Sequence, residues 1–346
     1  MSTPTDNLGI EVEIGRIDHE LGRLWEEAGE TKTRASLLNL VLYTEDPGTL
    51  GANTDLIAEI AAEHACRAIL ILAEPSALES SARAWINAHC HYAGKRQICS
   101  EQISFHLCGE AARALPSIVF SHLDSDLPLC LWWQAPFHSP IDASFWAWVD
   151  RLVFDSSTWA DPSTGFATTA KIGSLAGGRT VIGDLNWARV LGARLALASL
   201  FDHPSALSAL RSLEEIRITH GPGHRIAATL LMGWLASRFG WLLHDLISES
   251  YFTTPDGRQI TFRLDEVDGP TISQISFHSP SAVFGLRRPP NQSHYELDLC
   301  ELQAATPHAF YAAGRERPSN LLLSELARGG RHGHYREAVA SISALL

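Results

Sequence analysis

Asp184, Asn186 and Arg189 put an acid, an amide and a guanidinium into the short run DLNWAR, and Arg179 stands just upstream. Guanidinium groups fork onto phosphate, and carboxylates and amides bond hydroxyls, so together these four could hold a sugar phosphate. A second account fits the same residues. Asp184 suits the N-cap of a helix, and Arg189 could pair with a carboxylate. The sequence leaves both accounts open.

Other routes to chemistry find no residues. The glycine-bearing stretch SLAGGRTVIG lacks the G-x-x-x-x-G-K-[ST] spacing and follows no clear strand, so neither a P-loop nor a dinucleotide fingerprint is supported. No H-E-x-x-H and no G-x-S-x-G occurs. His89 and His91 share a strand face, but no third ligand stands at diagnostic spacing. The run LPLCLWW (Leu127 to Trp133) reads as a central strand. Its carboxyl end, where an open α/β sheet binds its ligands, offers Trp133, Gln134, Ala135 and Pro136 and so no acid, base or nucleophile. The expectation is no catalytic residue, no cofactor and no metal. Six cysteines without a C-x-x-C predict six free thiols.

Ten tryptophans are many for this length. Trp132, Trp133, Trp146, Trp148 and Trp159 cluster. Buried aromatics dominate interface energetics, so this cluster is the candidate partner-binding anchor, with core packing as the plainer alternative.

The elements that must carry these residues follow from periodicity. Asp184 to Asp202 reads as one buried helix with Trp187, Leu191, Leu195 and Ala198 on its inner face. Ile10 to Ala28 has helical amphipathy. Ser36 to Tyr43, Leu50 to His64 and Cys66 to Ala73 read as strand, helix and strand, the order of a parallel unit. Ala82 to Tyr92 and Gln97 to Leu107 alternate as a hairpin closed by Ala93, Gly94 and Lys95. Past Ser248, four short alternating runs separated by Pro-Asp-Gly and Asp-Gly-Pro turns predict an antiparallel sheet, closed by two helices. The predicted architecture is therefore an α/β domain over residues 1–247, with a mixed, largely parallel sheet and flanking helices. A smaller α+β domain with an antiparallel sheet follows over 248–346.

The bulk numbers agree with a globular protein. Hydrophobic residues make up 45% and charged residues 19%, and the net charge is −12. That balance argues against nucleic acid or an anionic membrane as partner, since both need cationic surface. No segment reaches the roughly 20 apolar residues of a membrane span. The opening MSTPTDNLGIEVEIG lacks a basic region before an apolar core, so a cytoplasmic location is expected.

Four segments in order, HACRAILIL, LPLCLWW, DLNWAR and LLMGWLASRFGW, resemble the OpcA family of glucose-6-phosphate dehydrogenase assembly proteins. The similarity runs from about Gly9 to the C-terminus. The resemblance implies a non-catalytic protein whose partner is glucose-6-phosphate dehydrogenase and which promotes that enzyme's active oligomer in the oxidative pentose phosphate pathway. Its alternative is a sugar-phosphate-binding protein or enzyme on an α/β fold. Some photosynthetic members are associated with redox control. This sequence shows no close cysteine pair, so thiol regulation is not carried over.

Overall fold

The computed structural model describes residues 8–26, 32–93, 96–138, 143–175, 177–245, 250–302, 310–330 and 332–345. The chain divides into two compact units of interleaved segments. Unit 1 is Met1–Phe154, Thr168–Gly183 and Pro318–Gly329; unit 2 is Asp155–Ala167, Asp184–Arg317 and Gly330–Leu346. The helices in chain order are α1 (Ile17–Glu26), α2 (Leu50–Glu63), α3 (Leu115–His122), α4 (Ala143–Trp146), α5 (Pro162–Leu175), α6 (Leu185–Arg189), α7 (Leu191–Phe201), α8 (Pro204–Ala209), α9 (Arg225–Phe239), α10 (Pro318–Ala327) and α11 (Gly333–Ser341).

Unit 1 is built on a sheet of β1 (Ile10–Val12), β2 (Lys32–Arg34), β3 (Leu38–Thr44), β4 (Cys66–Glu74), β5 (Ser81–Ala93), β6 (Arg96–Cys108), β7 (Leu129–Trp133), β8 (Arg151–Phe154) and β9 (Val181–Asp184). The order is β1-β5-β6-β4-β3-β7-β8-β9, with β2 beside β6. Strands β6, β4, β3, β7 and β8 run parallel, and β5 and β1 are antiparallel additions at one side. The central strands β3, β4 and β7 are buried almost throughout, as a parallel sheet covered on both faces requires. Asn39, fully buried in β3, donates to the carbonyls of Asp124 and Leu127 and accepts from the Asp124 amide. Those bonds tie the turn before β7 to the middle of the sheet.

Unit 2 carries β10 (Glu215–His220), β11 (Leu242–Asp245), β12 (Ser250–Thr253), β13 (Gln259–Glu266), β14 (Ile272–Ser279), β15 (Ala282–Arg287), β16 (His294–Asp298) and β17 (Tyr311–Ala312). Their order is β11-β12-β13-β10-β14-β15-β16-β17. All pairs are antiparallel except β10–β13. Phe201 of α7 meets Phe239 of α9 and Phe277 and Phe284 of the sheet edge-on, which joins helices to strands through aromatic faces. Gly233 lets α9 approach α11 closely, since a Cβ there would run into the Ala338 carbonyl and the Ile342 side chain.

The two-part architecture matches the sequence reading, but four details are corrected. First, the units do not meet at 247/248. Strand β10 belongs to the second sheet, and α10 returns to unit 1, where it packs against α2 and buries Glu325 against Arg151. Second, Ile10–Val12 is a strand on the β5 edge and the helix begins only at Ile17. Third, the helix after Asp184 is two helices broken at Val190 (φ −86°, ψ 10°). The break resets the phase, so α7 buries Ala193, Ala196, Leu197 and Leu200, while Leu191 is half-buried and Leu195 is 56% exposed. Fourth, Cys90 and Cys99 form a disulfide, so the thiols are not all free. They lie directly opposite each other in the β5–β6 register, where sequence spacing alone gave no pair. Cys66, Cys108 and Cys130 are free, and the Cys300 side chain lies outside those described. The hairpin itself is as expected, although Gly94 and Lys95 of its turn are outside the described residues.

Candidate functional site

The sheet of unit 1 reverses its direction of travel between β3 and β7, because β3 leads through α2 to β4 on one side and β7 leads to β8 on the other. Ligands of open α/β folds bind beyond the carboxyl ends of strands at such a point. Here the protein's own side chains occupy it. Asn53 of α2 and Gln134 after β7 exchange two amide hydrogen bonds, of 2.9 and 3.1 Å. The rings of Tyr43 and Trp133 stack with centroids 3.9 Å apart, and Phe137 lies parallel to Trp133. The Tyr43 hydroxyl donates to Glu45 (2.7 Å), and His138 bonds the same carboxylate. Burial, helped by Glu45, raises the Tyr43 pKa well above the usual phenol value and keeps it a donor.

The turn from β3 to α2 is the place where a dinucleotide fold puts a phosphate on free backbone N–H groups. In this chain Asp46 accepts from the Gly48 amide at 2.8 Å, and Glu45 stands next to it. A carboxylate thus fills the anion position. The residues present do not fit a nucleotide.

Unit 2 holds the second constellation. Asp184 caps α6 by accepting from the Asn186 amide (2.9 Å), as its position before the helix predicted. Its carboxylate also accepts from the Ser156 amide (3.1 Å) and hydroxyl (2.7 Å), and the Tyr335 hydroxyl stands 3.4 Å away. Asn186 donates to the Ser156 hydroxyl at 3.2 Å. Arg189 forks onto Asp155, one bond at 2.7 Å and a shorter one beside it, and reaches the Asn186 side-chain oxygen at 3.3 Å. Complete burial, reinforced by the charge of Asp155, pushes the Asp184 carboxyl up to about 7 despite the bonds it accepts. The Asp155 carboxyl moves the other way: the Arg189 bond and charge outweigh its burial and hold it below the usual carboxylate value. Burial lowers the nearby His224 pKa, and the Arg189 charge adds to that.

Three of the four predicted polar residues therefore come together, and each is engaged inside the fold. Arg179 is exposed and belongs to unit 1, so it is not a member. Sequence reasoning missed Asp155 and Ser156, which stand next to each other at the end of β8. The only signal was an acid followed by Ser-Ser after a short apolar strand.

The tryptophans divide as well. Trp132, Trp133 and Trp146 are buried in unit 1, where Trp133 and Trp146 pack at 5.5 Å. Trp159 belongs to unit 2 and lies half-buried against Gly165 and Phe166. Trp148 alone of the five is largely exposed, at 69%.

Residues 57–171 match the family described as glucose-6-phosphate dehydrogenase subunit N-terminal domain, and residues 180–339 match the corresponding C-terminal domain. These matches cover most of the chain, which belongs to this family, the OpcA family. Its place is in the oxidative pentose phosphate pathway, in relation to glucose-6-phosphate dehydrogenase. A protein of Synechococcus elongatus with the provisional name OxPP cycle protein OpcA is 26% identical over 83% of this chain and 69% of its own length. Its Synechocystis counterpart is 27% identical over 83% of this chain, which spans 65% of that relative. Among solved structures, UDP-N-acetylglucosamine 3-dehydrogenase from Acidithiobacillus ferrooxidans covers 90% of this chain and 97% of its own. Its TM-score is 0.41 and its identity 9%, and a likeness so distant carries no functional argument. Among the described residues no helix is long and apolar enough to cross a membrane.

Proposed function

We propose that this protein is a non-catalytic assembly factor that binds glucose-6-phosphate dehydrogenase and favours its active oligomer. The family match over both domains carries the reading. The filled crevice of unit 1 supports it, because an enzyme on an open α/β sheet would hold its ligand in that crevice. The engaged state of Asp184, Asn186 and Arg189 supports it too, since a sugar-phosphate site needs convergent polar groups left free for the ligand. The mechanism is selective binding. A protein with higher affinity for the active oligomer than for its parts shifts the population toward it by that difference.

Trp148 is the proposed contact residue of the tryptophan cluster, being large, aromatic and exposed. The net charge of −12 makes basic surface on the dehydrogenase the complementary feature, so association should slow as salt rises. The test is sedimentation of the host's dehydrogenase with and without this protein. The reading expects a co-sedimenting complex enriched in the larger oligomer. Independent sedimentation of the two proteins would refute it.

A further inference from the structure

Glu74, His106 and Cys108 bring three metal-binding atoms within 4.8 Å of one another at the carboxyl edge of the unit 1 sheet. Two adjacent parallel strands supply them. Glu74 ends β4 and lies opposite Cys108 in the register, while His106 sits two residues before Cys108 on β6 and so projects from the same face. Strand β6 is held by β4 on one side and by β5 on the other, over the full hairpin. Immediately after Cys108 the chain turns through Gly109, whose φ is +56° and where a Cβ would run into the Ala77 and Glu79 carbonyls.

The three groups converge on a single ring nitrogen. One ring nitrogen, Nε2 of His106, meets both the Glu74 carboxylate (2.5 Å) and the Cys108 sulfur (3.3 Å). That nitrogen can carry one proton or one lone pair. A proton on Nε2 serves Glu74 and leaves the thiol to solvent, whereas a bare Nε2 would accept from the thiol and face the carboxylate with a lone pair. A cation at the centre would accept from all three at once.

We propose that Glu74, His106 and Cys108 form a Zn²⁺ site with an open fourth position. The donor set of one thiolate, one imidazole and one carboxylate selects zinc over magnesium or calcium, which take oxygen ligands. Zinc bond lengths place tetrahedral ligands roughly 3.3–3.6 Å apart, so the His106–Cys108 spacing already suits the ion and the Glu74 oxygen has to draw back from His106 by roughly 0.8 Å. All three side chains are partly exposed, so the ion has a path in and water can complete its shell. Arg83 is paired with His106 in the register, but its guanidinium is bound and neutralised by both oxygens of Glu11 and lies over Trp85. The expectation from sequence is no metal, because His106 and Cys108 stand together on one strand but Glu74 joins them only through strand pairing.

The test uses the full chain and Co²⁺ and Zn²⁺ alone, with folding followed by thermal melts. One equivalent of zinc should bind to the wild type, and Cys108→Ser, His106→Gln or Glu74→Gln should each weaken binding at least tenfold. The cobalt adduct should show a thiolate-to-metal absorption band that is lost in Cys108→Ser and kept in Cys130→Ala. Absence of stoichiometric binding in the wild type, or a band that survives Cys108→Ser in a folded protein, overturns the site. Neither result depends on whether the protein binds a dehydrogenase.

Discussion

The crevice of unit 1 and the polar cluster of unit 2 are both filled from within, but by different means. In unit 1 an amide pair and stacked rings occupy the space, and the acids stand where an anion would go. In unit 2 a guanidinium is neutralised by a carboxylate, and a second carboxylate is held in a cage of donors. Neutral filling tolerates change in proportion to the volume and hydrogen bonds lost. A buried ion pair does not, because removing one partner leaves a charge out of water. Sites that look equally ligand-like in sequence therefore differ in how much stability they hold.

The largest effect should follow from breaking the pair in unit 2. Arg189→Ala should cost up to about 3–5 kcal/mol in denaturant unfolding, because Asp155, largely out of water, loses its counter-charge and keeps only the Ser157 amide and hydroxyl. Exchanging both partners for apolar residues of similar size should cost much less than either single change suggests. Equal losses in the single and double variants would mean that the cost comes from losing the interaction itself and not from an orphaned charge.

Asp184 gives the comparison a pH axis. Its folded pKa of about 7 lies above the unfolded value near 3.8, so the folded state holds the proton more tightly. Its contribution is then fully present below about pH 4 and is lost as pH rises through 7. Asp155, with a lowered pKa, contributes in the opposite sense and loses its share as pH falls. Asp184→Asn keeps the acceptor for the Asn186 amide and should flatten the decline in stability between about pH 4 and 7. An unaltered pH profile in that variant would show that Asp184 ionises freely.

In unit 1, Gln134→Leu removes both Gln134 bonds of buried Asn53, leaving it the 3.3 Å bond to Thr49, and should cost about 1–3 kcal/mol. A neutral result would mean that water replaces Gln134 and that the crevice is less closed than its contacts indicate.

How far the sequence carried the reading depended on whether neighbours in space were neighbours in the chain. The cap at Asp184 and the parallel unit of β3, α2 and β4 were legible because each is local. The partner of Arg189 was not, because Asp155 lies 34 residues away and reaches it only after folding. The inner face of α7 differs from the sequence reading because one 3.6-residue period does not run unbroken through Val190. Strand register hid the disulfide and the Glu74–His106–Cys108 group in the same way.

Leu195 and Trp148 should give the smallest effects, set against Leu197 on the buried face of the same helix as Leu195. Leu197→Ala should cost roughly 2–5 kcal/mol, as a buried leucine does, whereas Leu195→Ala should change stability by under about 0.5 kcal/mol. Reversed values would restore the unbroken helix. Trp148→Ala should likewise leave the melt almost unchanged while weakening the complex with the dehydrogenase.

The most direct measurement is a glucose-6-phosphate dehydrogenase assay with and without equimolar protein, with the protein alone as control. The account predicts no turnover of glucose 6-phosphate by this protein with either nicotinamide cofactor. It also predicts higher dehydrogenase activity in the mixture, through a lower apparent KM for the sugar phosphate, a higher kcat, or both. Turnover by the protein alone, or kinetics of the dehydrogenase unchanged by its addition, would contradict the account.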